Sequence, residues 1–223
     1  MKYKIAIVHT TPVTIEPLKN LLTGNVPNCE IVNFVDDSIL PELIENNGDI
    51  TKVENRLTQY YQFAEQVGAD VILNACSSVG EIVAKGQQMV GIPIVRIDEP
   101  MAEKAIQNGK KIGVVATLAT TLDPTITLLK TKSAVLNKEV ELTSKVVNDA
   151  YQRLLVGDKD GHDQILADVL TEMAMEVDVV VLAQASMARV VSTLPAELQE
   201  KFLSSPELGV ERVKKTLEGQ LTK

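Results

Sequence analysis

Tryptophan is absent from this chain of 223 residues, and it has only three phenylalanines and four tyrosines. A nucleic-acid surface of stacked aromatics among basic residues is therefore not available. Positive charge is also short. Twenty-two Lys and Arg stand against 30 Asp and Glu, a formal net charge of −8, so neither nucleic acid nor an anionic membrane is an expected partner. Cysteine and histidine occur twice each. Two cysteines cannot form a disulfide framework, and with no CxxC or HExxH spacing no metal site is expected. Glycine-rich GxGxxG and GxxxxGKS/T patterns are missing, which leaves dinucleotide and P-loop readings without a motif. Long apolar runs are missing too. The opening run, Ile5 to Val8, is too short for a signal-peptide core or a membrane span. A cytoplasmic location is the expectation.

What the chain does have is alternation. Hydrophobic residues make up 45% of it, enough for a packed core. Short β-branched runs at Lys4–His9, Glu30–Phe34, Asp70–Leu73, Pro93–Ile97, Lys111–Ala116, Val140–Val147 and Asp178–Leu182 read as strands. Their continuous apolar character suits parallel strands covered on both faces. Helical spacing lies between them. Val53, Leu57, Tyr60, Ala64 and Val67 mark one such face, and Leu166, Val169, Met173 and Val177 another. The pattern predicts α/β architecture from parallel βα units.

The chain also repeats. Ile5-Ala-Ile-Val-His-Thr10 lies over Ile112-Gly-Val-Val-Ala-Thr117 at a spacing of 107, which also matches Thr14 with Thr121 and Pro17 with Pro124. Val71 to Ser77 lies over Val180 to Ser186 at a spacing of 109, which sets Cys76 against Ala185. Two pseudo-symmetric halves follow, residues 1–97 and 98–205. A C-terminal helix, 206–223, is expected to rejoin the first half.

Ligands of parallel α/β sheets bind beyond the C-terminal strand ends. Thr10, Thr11, Ser77, Ser78, Thr117, Thr120, Thr121 and Ser186 fall there, each just ahead of a helix. Hydroxyls and free N–H groups at such ends suit a small carboxylate, although N-capping explains any single one equally well. Cys76 is the candidate reactive group, since a helix N-terminus lowers a thiol pKa. A small buried cysteine is the plainer alternative. His9, at the end of the first strand, is a candidate acid/base group or a packing residue. Cys29 reads as structural, His162 as a solvated loop or helix-start residue, and Asp36-Asp37 as a loop or cap. Arg189 stays unassigned.

Taken together, His9-Thr10-Thr11-Pro12, Asn74-Ala-Cys76-Ser77, Ala116-Thr117 with Thr120-Thr121, and Ala183-Gln-Ala-Ser186 resemble the aspartate/glutamate racemase superfamily. Hydantoin racemases, maleate isomerases and arylmalonate decarboxylases are among its members, and the resemblance spans nearly the whole chain. It implies two flavodoxin-like halves with the active site between them and no cofactor. It also implies a small carboxylate substrate and a homo-oligomer, since relatives are often dimers or larger. Family members present one cysteine from each half to the substrate α-carbon. Cys76 would be the first-half cysteine, with Thr10, Thr117, Thr121, Ser77 and Ser186 holding the carboxylate. Ala185 stands where the second cysteine is expected, and alanine transfers no proton. Three functions stay open: a racemase or isomerase of a small carboxylic or amino acid working through Cys76, a single-cysteine decarboxylase of malonate-like acids, and a non-catalytic carboxylate-binding homologue.

Overall fold

A computed structural model describes residues 2–220. It has two compact units, one up to Asp98 together with residues from Pro206 onward, the other Glu99–Ser205. Each carries a four-stranded, fully parallel sheet with helices. In unit 1 the strands are β1 (Tyr3–His9), β2 (Cys29–Val35), β3 (Val71–Asn74) and β4 (Ile94–Arg96), in the order β2-β1-β3-β4. In unit 2 they are β5 (Lys111–Ala116), β6 (Glu141–Val146), β7 (Val179–Leu182) and β8 (Phe202–Leu203), in the order β6-β5-β7-β8. The α/β class expected from the alternation is therefore the class observed.

Burial of both sheet faces explains the continuous apolar runs. Side chains alternate along a strand. Ile5 and Ile7 of β1 pack with Leu18 and Leu22 of helix Ile15–Asn25, and with Val210, Val213 and Leu217 of helix Ser205–Gln220. Ala6 and Val8 face the other way, onto Leu57, Tyr61 and Ala64 of helix Glu54–Gln66. The C-terminal helix lies tight on unit 1 at Gly209, where a Cβ would come within 2.9 Å of the Ile97 carbonyl oxygen. In unit 2, Val115, Val180 and Leu182 meet Leu166, Leu170 and Met173 of helix Lys159–Glu176.

Three side chains depart from the sequence expectation, the first being Val67, which lies just past its helix and is 43% exposed. Helical spacing puts Tyr60 on the buried face of its helix, but Tyr61 is the fully buried tyrosine there. The sequence around His162 suggests a solvated loop or helix start; the residue lies in the first turn of helix Lys159–Glu176 but is 1% exposed. Its Nδ1 sits 2.6 Å from Asp163, which also holds Arg189. Among the described residues no helix is long and apolar enough to cross a membrane.

Register gives the repeat its true spacing. Ile5 of β1 pairs with Val71, and Ile112 of β5 pairs with Val179. The neighbouring bonds agree. Asp70 N–H donates to the Lys4 carbonyl and Asp178 N–H to that of Lys111. Both aspartates then accept the N–H of the same lysine, at 2.7 and 2.8 Å. Ala75 N–H donates to Val8 and Ala183 N–H to Val115. The first strands thus correspond at a spacing of 107 and the third strands at 108, not 109. The consequence is a correction: Cys76 corresponds to Gln184, not to Ala185. The run Val179-Val-Val-Leu182 looks the same after a shift of one residue, so apolar pattern alone could not anchor it.

Candidate functional site

The loop after β3 is built around a buried asparagine. Asn74 closes an apolar strand and is fully buried. A buried amide must be bonded. Its Oδ1 accepts the Tyr61 hydroxyl at 2.9 Å, and its Nδ2 donates to the Cys76 carbonyl at 3.0 Å. These bonds fix the backbone at Cys76, which is extended and precedes the 3-10 turn Ser77–Val79. Tyr61 went unnoticed in the sequence; its signal was the polar Asn74 at the end of an apolar run, which needs a buried partner.

Cys76 is a free thiol with partial solvent exposure. It makes no regular capping bond, yet donors surround the sulfur. Burial pushes the thiol pKa above its ordinary value. The Thr10 hydroxyl, the Ser78 N–H and hydroxyl, and the Val79 N–H pull the other way by favouring the thiolate. The lowered thiol pKa expected from a helix start is thus not the outcome. The turn is only three residues long, and removal from water outweighs its N–H groups. Burial also raises the Tyr61 hydroxyl, with the Cys76 charge adding to it and Arg96 opposing it. Under this turn lies a buried ion pair. Arg96 Nε and Nη2 donate to the two oxygens of Asp98 at 2.7 and 3.0 Å, and Asp98 is fully buried. Gly80 makes room for it, since a Cβ there would overlap the guanidinium.

His9 is not poised for acid/base work. It is 1% exposed, and burial lowers its pKa while the Asn33 bond opposes this. Both ring nitrogens are occupied within unit 1. Nε2 lies 3.0 Å from Asn33 Oδ1, and Nδ1 lies 2.7 Å from the Thr14 hydroxyl. A neutral ring that donates from Nε2 and accepts at Nδ1 satisfies both. The residue braces the Thr11–Thr14 loop, where the Thr11 hydroxyl accepts the Val13 N–H. Thr10 is buried and Thr11 half-buried.

Unit 2 repeats the loop with other groups. Thr117, the counterpart of Thr10, donates its N–H and its hydroxyl to Gln184 Oε1 at 2.6 and 2.9 Å. In both units, then, the threonine after the first strand binds the residue before the 3-10 turn. That residue is Cys76 in one and Gln184 in the other. Thr120 Oγ1 is buried without a partner, and Thr121 is buried beside it at the start of helix Ala119–Val135. Ser77 and Ser78 are buried, whereas Ala185 and Ser186 are exposed. Cys29 is half-buried with its sulfur 4.0 Å from the Leu22 carbonyl, in keeping with a structural role. A depression of about 490 Å³ lined by Lys110, Asn137 and Glu141 lies at the starts of β5 and β6, away from these loops. Among the described residues no cluster of three or more His, Cys, Asp or Glu could hold a metal.

A family model described as Asp/Glu/hydantoin racemase matches residues 7–213. Among solved structures, the chain is similar to a glutamate racemase isoform of Bacillus anthracis. The TM-score is 0.74 and identity 17%, over 98% of this chain and 82% of that one. It is similar to an aspartate racemase of Picrophilus torridus at TM-score 0.72 and 16% identity, over 96% and 94%. An allantoin racemase of Klebsiella pneumoniae gives 0.66 and 16%, over 97% and 88%. At these identities the likeness is one of fold. No curated protein matches the sequence significantly.

Proposed function

This chain belongs to the Asp/Glu/hydantoin racemase family, and on that premise we propose that it moves a proton at the α-carbon of a small carboxylic or amino acid through Cys76, without a cofactor. The observation that carries this reading is the half-buried Cys76, whose sulfur is ringed by the Thr10 and Ser78 hydroxyls and two backbone N–H groups. These donors support a thiolate while burial keeps its basicity high. A strong base at a fixed position suits a weakly acidic C–H bond. The carboxylate would be held by the strand-end hydroxyls. Ser77, which opens the 3-10 turn after Cys76, would add a donor.

The test is exchange. The full chain is incubated in deuterated water with a panel of α-amino acids, α-hydroxy acids and hydantoins, and the α-hydrogen signal is followed by NMR. Wild type should lose that signal for at least one compound, and Cys76→Ala should not. Absence of exchange across the whole panel refutes the reading.

A second reading has one observation in its favour. Gln184 stands where a second thiol would be, and decarboxylation of a malonate-like acid needs only one proton delivered. Release of carbon dioxide from substituted malonates, lost in Cys76→Ala, would favour it over racemisation.

A further inference from the structure

We propose that the outer edge of β6 is a self-recognition surface, on which a second copy of this chain adds its own β6 antiparallel and joins two unit 2 sheets into one. The proposal does not depend on the reading of Cys76. β6 ends its sheet, with β5 on one side and, among the described residues, no strand on the other. Five of its six residues are exposed, against two of seven in β2, the matching edge of unit 1. An open edge invites pairing with another chain, and proline or a bulge ordinarily blunts it. β6 has no proline. It has no bulge either, since its register with β5 runs unbroken from Lys111 opposite Glu141 to Ala116 opposite Val146.

The backbone decides which registers are open. Glu141 N–H donates to the Lys110 carbonyl and Val147 N–H to that of Ala116. Odd-numbered residues therefore turn their backbone groups toward β5, and Val140, Leu142, Ser144 and Val146 turn theirs outward. An antiparallel partner must set even residues against even ones. The twofold register centred on Thr143 does so, and it places Glu141 opposite Lys145 of the second copy at both ends of the pairing. It also sets Val146 opposite Val140 and Leu142 opposite Ser144. Centring on Ser144 would set Lys145 against Thr143 instead, and centring on Leu142 would leave only Glu141, Leu142 and Thr143 of each strand paired. Glu141 and Lys145 would occupy non-hydrogen-bonded sites, where facing side chains come closest, and opposite charges there attract. Within the chain both meet only exposed partners, Glu141 with Lys110 and Lys145 with Glu172, each at 3.4 Å. Such pairs hold a side chain weakly, so both can turn to a second copy. Pairing along one short edge buries little surface, so the dimer should be weak and concentration-dependent.

The experiment follows the full chain by sedimentation velocity over a rising concentration series, which should show a monomer–dimer equilibrium. Lys145→Glu sets like charges opposite at both symmetry-related places and should raise the dissociation constant about tenfold. Glu141→Lys should do the same. The double variant should restore dimerisation, because the exchanged charges again face each other. Thr143→Cys should form a disulfide-linked dimer on mild oxidation, since the two residues 143 would lie within bridging distance. Ser144→Cys, two residues out of step with its own copy, should not. Matched melting temperatures would show that the variants fold. A wild type that stays monomeric throughout, with no cross-link through Thr143→Cys, overturns the proposal and leaves the edge to a strand of some other protein. A dimer that neither charge reversal weakens uses another face and overturns it equally. Loss in both single variants without recovery in the double variant refutes the register centred on Thr143.

Discussion

The two strand-end loops share a backbone plan and differ in the group at its centre. In unit 1 the threonine after the first strand meets a thiol; in unit 2 its counterpart meets a carboxamide. The supports differ in the same way. Behind Cys76 stand a buried Asn74, a buried Tyr61 and the Arg96–Asp98 pair. Behind Gln184 the matching strand position is the apolar Leu182. Polar groups in a core are costly unless fully bonded. Their concentration behind one loop is the feature that fits the role proposed for Cys76. The harshest test of this contrast is a matched pair of truncations. Cys76→Ala should lower the exchange rate by about 10³-fold or more, within the range for losing a positioned acid/base group. Gln184→Ala should cost far less. Equal losses would mean that Cys76 is not the group that carries the proton.

Next in size is the packing under the thiol loop. Gly80 and Ala188 are counterparts, each donating its N–H three residues back, to Ser77 and Ala185 respectively. Unit 2 tolerates a methyl group there because no guanidinium lies beneath it. β8 stops at Leu203, and Ser204 follows in the place of Arg96. Gly80→Ala should displace Arg96 from Asp98 and destabilise the chain by about 3 kcal/mol, as expected for breaking a buried pair. Ala188→Gly, at the first residue of a short helix, should cost at most about 1 kcal/mol. Urea unfolding checks both. A mild Gly80→Ala would mean that the ion pair can move aside.

Much of this was legible in the residues, and the failures have physical causes. Strand positions could be read because parallel strands buried on both faces are continuously apolar. The repeat could be read because Thr10, Thr14 and Pro17 recur as Thr117, Thr121 and Pro124. The one-residue slip at Gln184 arose in the valine run of β7, where only hydrogen bonds to β5 set the register. For His9 the sequence leaves an acid/base role and a packing role open, for a different reason. Nothing local announces that Asn33, on the neighbouring strand, will cap its ring. Likewise, a cysteine before a helical turn suggests an acidic thiol, but the depth that reverses the shift depends on Tyr61 and on the chain around it.

The hydrogen bonds on the sulfur give a smaller effect. Thr10→Val removes one donor that favours the thiolate, so the thiol pKa, already raised by burial, should rise further. Alkylation of Cys76 by iodoacetamide at fixed pH should slow about tenfold, the effect of losing one bond to a charged acceptor. Thr117→Val, which removes one of the two bonds to Gln184, should leave alkylation unchanged. A Thr10→Val chain that reacts as fast as wild type would detach the threonine from the thiol.

The smallest effect separates the two units by pH. His9 has Ala116 as its counterpart, so only unit 1 carries a titrating ring at this strand end. Burial lowers the folded pKa of His9 below its ordinary value of 6.5. Between the folded and ordinary values the unfolded chain binds a proton that the folded chain does not. The stability that His9 contributes should thus be complete above pH 6.5 and be lost as pH falls toward the lowered value. Once the folded ring itself protonates, the loss should level off. Subtracting the unfolding profile of His9→Gln from that of wild type isolates this slope from the many carboxylates that titrate nearby. A flat difference between pH 7 and pH 5 would mean that the ring charges freely in the folded chain. The tight pairing with Asn33 and Thr14 would then not hold it neutral.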